Sequence, residues 1–214
     1  MNVDNWQEKF ETWWVQQGEH EDASHDTAHF RRVYKLSTEI NAGEGGQADH
    51  LILLAAAYFH DAVNPPKDSP LRSKASTLSA DLSRIELAKM NFPADKIDGV
   101  AHAIAAHSFS ADITCESLEA KILQDADRME ALGALGIARN MYTSGRMNSK
   151  LFHAEDPLGV ARALDDKKYA LDHFELKLLK LPAMMQTQTG GKIANERADF
   201  LVKFRDQILK EIAI

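Results

Sequence analysis

Apolar side chains recur at steps of three and four along nearly the whole chain, and no stretch sustains the two-residue alternation that a half-buried strand needs. Val3, Trp6, Phe10, Trp13 and Trp14 set the pattern, placing large side chains on one stripe of a helix that Gly18 ends. A second helix is expected after the polar stretch GEHEDASHD, capped by Asp26, with His29, Val33, Leu36 and Ile40 on one stripe. After NAGEGGQ a third runs from about Asp49 to Asp61 and stops before Pro65 and Pro66. Further helices are expected near Ser73–Met90, Ala94–His107, Ser117–Thr143, Pro157–Leu179 and Ile193–Ile214. Loops are expected at Val63–Leu71, Ser108–Glu116, Ser144–Asp156 and Met185–Lys192, where Pro, Gly, Ser, Asn and Asp cluster. None is long enough for a linker, and 214 residues fit one core. The expectation is an all-α bundle forming a single domain over residues 1–214.

Charge and cysteine content narrow the classes of function. Thirty-two acidic against 25 basic side chains leave −7, which argues against an electrostatic grip on a nucleic acid polymer or an anionic membrane. Cys115 alone can form neither an intramolecular disulfide nor a Cys-rich zinc site, so a reducing cytoplasm is the expected compartment. The longest apolar run, Leu51–Phe59, falls short of the roughly 20 residues that span a bilayer, and the N-terminal segment is unlike a secretion leader.

Nine histidines are a large allowance for so acidic a chain, and three polar elements interrupt otherwise apolar helix faces. These are His29 in HFRRV, His60-Asp61 in AAAYFHDAVNPPK, and an aspartate in KILQDADRMEALGALGIAR. Buried ionisable groups need partners. Two imidazoles and two carboxylates projecting from three helices into one space supply borderline nitrogen and hard oxygen ligands, a set suited to Mn²⁺, Mg²⁺, Co²⁺ or Fe²⁺. Asp125 and Asp127 compete for the last position, because residues two apart on a helix diverge by about 200°. The apolar arc of Leu118, Ile122, Ala126 and Met129 leans towards Asp125.

The ordered set H…HD…D resembles the HD-domain superfamily of metal-dependent phosphohydrolases. Within it, HDTAHFRRV, HSFS, QDADR, GALGIAR and HFELKLLKL are similar to stretches of the small bacterial stand-alone HD proteins of the YedJ and YpgQ type. The resemblance covers most of the chain. It implies an HD-type helical domain with its metal-site core at about residues 25–130 and C-terminal helices completing the bundle. It also implies one divalent ion held by His29, His60, Asp61 and Asp127. Asp125 is then a candidate for orienting a ligand histidine, since metal-bound imidazoles usually donate their other N–H to an acceptor.

In such a site Asp61 both ligates and orients a water, while His107 and Lys67 are the candidates for supplying a proton or meeting developing charge. Arg32 and Arg139 are the candidates for holding substrate phosphates. His102 and His107 lie where two-metal members of the superfamily carry extra histidines. A separation of five residues turns them about 140° apart on one helix, which favours a single ion. The resemblance implies a small phosphorylated substrate, a nucleotide, and hydrolysis of a phosphate ester or anhydride like that of a nucleoside triphosphate pyrophosphohydrolase. The competing readings are a nucleotide-sensing HD module without turnover and an HD phosphodiesterase or 5′-nucleotidase. A homodimer is compatible with all of them.

Overall fold

The structure, a computed structural model, describes residues 3–18, 27–65 and 69–212. Among these residues nine α-helices carry the fold, no strand is present, and one isolated β-bridge joins Lys150 to Tyr169. None of the described helices is long and apolar enough to cross a membrane. The chain divides into two compact units, Met1–Asp127 and Arg128–Ile214.

The first unit contains α1 (Val3–Gln17), α2 (Thr27–Gly43), α3 (His50–Phe59), α4 (Ala75–Lys89), α5 (Ala94–His107) and most of α6 (Leu118–Met129). Helix α3 is apolar all round, so it can only be central. Leu53 to Phe59 are fully buried, and α3 packs against α1, α2, α4 and α5. Its start is tied down from three directions. The Asp49 carboxylate accepts from the backbone N–H of Leu51 (2.8 Å) and Ile52 (3.2 Å) and pairs with Lys96 of α5, while its own N–H donates to Glu119 of α6 (2.8 Å). The other end of α3 delivers His60.

Helix α1 buries Trp6, Phe10 and Trp14, and half-buried Trp13 donates to Glu86 of α4 (3.1 Å). It also braces α2 and α3 close to their histidines. The Glu11 carboxylate accepts from Arg31 Nε (2.8 Å) and Nη2 (2.7 Å), two residues after His29, and from the Tyr58 hydroxyl (2.7 Å), two residues before His60. Trp14 donates to the Tyr58 carbonyl (2.9 Å) and stacks on Phe30 with ring centroids 4.7 Å apart. Asp26, expected to cap α2, lies outside the described residues.

The second unit corrects two helices read from periodicity. The expected Ser117–Thr143 helix is two, α6 and α7 (Gly133–Arg146). Gly133 takes a left-handed φ of 70°, and at Gly136 a Cβ would sit 2.2 Å from the Ala131 carbonyl carbon and oxygen. The two glycines of GALGIAR therefore turn the chain and let α7 start hard against the preceding backbone.

The expected Pro157–Leu179 helix is largely irregular, with only α8 (Asp172–Leu176) inside it. Here side chains compete with the helical ladder for backbone groups. Asp156 accepts from the N–H groups of Val160 and Ala161 (2.9 Å each), and buried Asp172 takes both Arg162 (2.6 and 2.7 Å) and the Asp165 N–H (2.7 Å). Lys150 meanwhile bonds the backbone on either side of Tyr169. Helix α9 (Gln188–Ile212) begins before the expected Ile193, because Thr187 caps it by accepting from Gly190 N–H (3.0 Å).

Two outcomes check this description. Gly136→Ala is expected to destabilise the protein by at least about 2 kcal/mol, because the added methyl must displace backbone. Gly145→Ala, on the same helix with no atom within 4 Å of the new Cβ, should be neutral or slightly stabilising in thermal denaturation. Equal effects would contradict the close approach.

The second outcome concerns Glu11, whose carboxyl is lowered to about 2 by the Arg31 hydrogen bonds, with Tyr58 and Gln7 adding donors against the opposing effect of burial. A depressed carboxyl stabilises in its charged form. The contribution is therefore complete above the ordinary value of 4.5 and is lost as pH falls through about 2. The stability gap between the natural protein and Glu11→Gln, read from denaturant midpoints, should shrink over that window. A gap constant from neutral pH down to about 2 would remove Glu11 from the bracing role.

Candidate metal centre

Four chain segments of the first unit end at one place. His29 lies in the first turns of α2, His60 closes α3 with Asp61 next to it, His107 is the last residue of α5, and Asp127 lies near the end of α6. His29, His60 and His107 are 1%, 0% and 6% exposed, whereas the Asp61 and Asp127 side chains keep 22% and 31%. Imidazoles form the floor and carboxylates the mouth.

Local helix geometry decides which nitrogens face the centre. His60 Nδ1 lies 2.9 Å from the carbonyl of Ala57, and His107 Nδ1 lies 2.6 Å from that of Ile104. A carbonyl only accepts, so in each ring Nδ1 carries the proton and Nε2 points outward as the remaining group. His60 Nε2 then stands 3.1 Å from His29 Nε2, 3.5 Å from Asp61 Oδ2 and 3.6 Å from Asp127 Oδ1. His29 Nε2 is 3.8 Å from Asp127 Oδ1, and His107 Nε2 is 3.8 Å from Asp61 Oδ1.

The charges in this cluster are strongly coupled. Burial opposes a proton on His60 Nε2, but the Asp61 and Asp127 carboxylates outweigh it and raise the pKa to about 9. Burial likewise opposes charge on Asp127, yet its hydrogen bond to His60 and the surrounding imidazoles hold its carboxyl far below the usual range. His107 is lowered, first by burial and then by the charge on His60. A positive charge at the centre is what this set of donors requires.

A divalent ion fits the same space. Bonds of about 2.1 Å place neighbouring ligand atoms about 3.0 to 3.4 Å apart, close to the separations found around His60 Nε2. Among the described residues, two groups are suited to hold an ion: His29, His60 and Asp127, and His60, Asp61 and His107. They share His60. Asp127, and not Asp125, joins the imidazoles; Asp125 is fully buried one residue behind Ala126.

The other expected residues are placed as follows. Arg32 is half-buried on α2, three positions after His29. His102 accepts from the Glu116 N–H (3.1 Å) and holds a loop. Arg139 belongs to the second unit, where it lies 3.6 Å from buried Glu130. Lys67 lies outside the described residues.

Two contributors escaped the sequence reading. Gln124, on α6 one turn before Asp127, donates to the Ala106 carbonyl (2.9 Å) and so ties α6 to the end of α5 beside His107. Arg72 bonds Asn64 Oδ1 and the Pro65 carbonyl (3.1 Å), holding the stretch that leaves Asp61. Gln124 sits inside QDADR, so the motif pointed at it; nothing in the pattern pointed at Arg72.

The chain is similar to known proteins along most of its length. Residues 27–132 match the family model of the HD domain. The Bacillus subtilis protein YpgQ is 33% identical over 209 residues, spanning 96% of this chain and 93% of that protein. The crystal structure of YpgQ superposes with a TM-score of 0.74 at 32% identity, covering 99% of this chain and 98% of that one. YpgQ in complex with ADP gives the same score at 30% identity, over 99% and 97% of the two chains. An HD-superfamily hydrolase from Bacillus thuringiensis follows with a TM-score of 0.73 at 29% identity, over 98% of each chain. The chain belongs to the HD-domain superfamily of metal-dependent phosphohydrolases.

Proposed function

We propose that this protein hydrolyses nucleoside triphosphates to a nucleoside monophosphate and pyrophosphate, using one divalent ion held by His29, His60, Asp61 and Asp127. The observation that carries the reading is the pair of imidazole Nε2 atoms 3.1 Å apart, one of them with its Nδ1 engaged by Ala57, facing two carboxylates. Two nitrogens and two oxygens suit Mn²⁺ first, with Mg²⁺, Co²⁺ and Fe²⁺ as alternatives, and leave coordination positions for water and phosphate. The nucleotide preference is supported by the ADP complex of YpgQ. Because the solved relatives match along 97–98% of their length, residues 1–214 are read as one functional HD-type domain. The proposed setting is the cytoplasm, in keeping with a single buried cysteine.

When bound, the ion supplies positive charge against the phosphate oxygens and lowers the pKa of water in its shell. The protein's part follows from Asp61 and His107. Asp61 turns one oxygen to His60 and the other to His107, so it orients the attacking water and takes up its proton. The bond from the water oxygen to the α-phosphorus forms as the bond to the bridging oxygen breaks, and pyrophosphate leaves.

His107 protonates that leaving oxygen. The proton must travel on Nε2, since Nδ1 is held by Ile104; burial keeps this ring neutral at rest, so Nε2 starts without a proton. It first receives the proton gained by Asp61, through one water, and then gives it to the leaving oxygen. Arg32 and Lys67 are the proposed phosphate contacts.

Metal-stripped protein given Mn²⁺ should release monophosphate and pyrophosphate in equal amounts; release of orthophosphate alone would contradict the assigned bond. Asp61→Ala should abolish turnover while the helical circular-dichroism signal persists. His107→Ala should slow turnover about 10²- to 10⁴-fold with metal content unchanged. That deficit should shrink on a p-nitrophenyl ester, whose leaving group needs no proton. Loss of metal from the variant would instead make His107 a ligand.

A further inference from the structure

The segment leaving His107 presents an apolar ring where solvation disfavours one. Ser108 is extended (φ −82°, ψ 130°), Phe109–Ala111 forms a single 3-10 turn, and Asp112 closes it in the left-handed region (φ 52°). Ser108 Oγ and Ser110 Oγ lie 3.0 Å apart, and the Ala111 N–H donates to the Ser108 carbonyl (3.3 Å). The backbone is thus pinned on both sides of Phe109, which stays 75% exposed. Phe10, Phe30, Phe59, Phe92 and Phe174 are all buried, and burying a phenylalanine stabilises a fold by about 1.5 to 3 kcal/mol. This ring forgoes that gain while its backbone is held still.

Its place on the rim suggests why. The Phe109–Ala111 turn packs against a second 3-10 turn, Arg72–Lys74, whose Arg72 holds Asn64 and Pro65. The stretch that follows Asp61 and the stretch that follows His107 are therefore linked through the Arg72–Lys74 turn, and Phe109 lies in the second of them. Two backbone steps, at most about 7.6 Å, separate its Cα from that of His107, a distance a ribose spans.

We infer that Phe109 is the base-stacking residue of this site, which makes the substrate class nucleoside triphosphates of any base. The inference rests on the nucleotide reading above. With phosphates at the His60–Asp61 cluster, what remains of the substrate is a sugar and a flat base, and an exposed ring beside an anion site is the surface that accepts a base face. Phenylalanine has no hydrogen-bonding group, so it reads the face and not the edge. Discrimination among bases is then weak, and purines, with the larger face, bind ahead of pyrimidines.

The test measures binding in Mn²⁺ by calorimetry, using the α,β-methylene analogue of ATP and, as a base-free probe, methylenediphosphonate. One aromatic stacking contact corresponds to about 5- to 150-fold in affinity. Phe109→Ala should weaken the nucleotide analogue by that factor and leave methylenediphosphonate within about twofold. Phe109→Trp should bind the analogue at least as well as the natural protein, whereas Phe109→Leu, apolar but not aromatic, should stay weak. Equal losses for both probes, or full affinity in the leucine variant, would overturn the stacking role. Unchanged nucleotide affinity in Phe109→Ala would overturn this inference alone. Natural protein that binds the diphosphonate but not the nucleotide analogue would overturn the nucleotide reading, and the inference with it.

Discussion

The hydrogen bond from His60 Nδ1 to the Ala57 carbonyl (2.9 Å) fixes which atom α3 offers to the centre. Because the bond closes within the helix's own last turn, the ring cannot swing to satisfy Nε2 elsewhere in the core. Nε2 is left among His29, Asp61 and Asp127, none farther than 3.6 Å. The cluster then needs a positive charge at its middle. A proton on His60 meets the need, and the ion proposed for this site would meet it in the same place.

Much of the first unit holds that arrangement still. Asp49, Lys96 and Glu119 anchor the start of α3, and Glu11 clasps Arg31 and Tyr58, each two residues from a centre histidine. Gln124 ties α6 to the carbonyl beside His107. Each of these contacts joins elements that carry different members of the cluster, so the geometry is spread over several helices instead of one loop. That suits a site whose chemistry depends on separations of a few tenths of an ångström.

Periodicity reads helices well where one face meets a core, as in α1, α2 and α5. It misled at two places for different reasons. Between Ser117 and Thr143 the apolar rhythm continues, but Gly133 and Gly136 serve a turn and a close backbone approach that no hydrophobic count detects. Between Pro157 and Leu179 the apolar residues are not all inside: Val160 is 87% exposed, and Asp156 and Asp172 take the backbone and guanidinium donors that a helix would have arranged differently.

The centre was legible because ionisable residues on apolar stripes are costly and therefore few. Helical phase alone left Asp125 ahead of Asp127, and the wider similarity of QDADR pointed the other way, as does the position of the Asp127 carboxylate. Arg72 and Phe109 were not legible as rim residues. One acts on a backbone carbonyl and the other by its exposure, and neither leaves a spacing pattern. The most direct measurement is anomalous diffraction at the manganese edge from crystals grown with Mn²⁺. One peak within about 2.0 to 2.3 Å of His29 Nε2, His60 Nε2 and a carboxylate oxygen each of Asp61 and Asp127 is predicted. A peak that lacks the two imidazoles, or that is held by Asp125 in place of Asp127, would contradict it.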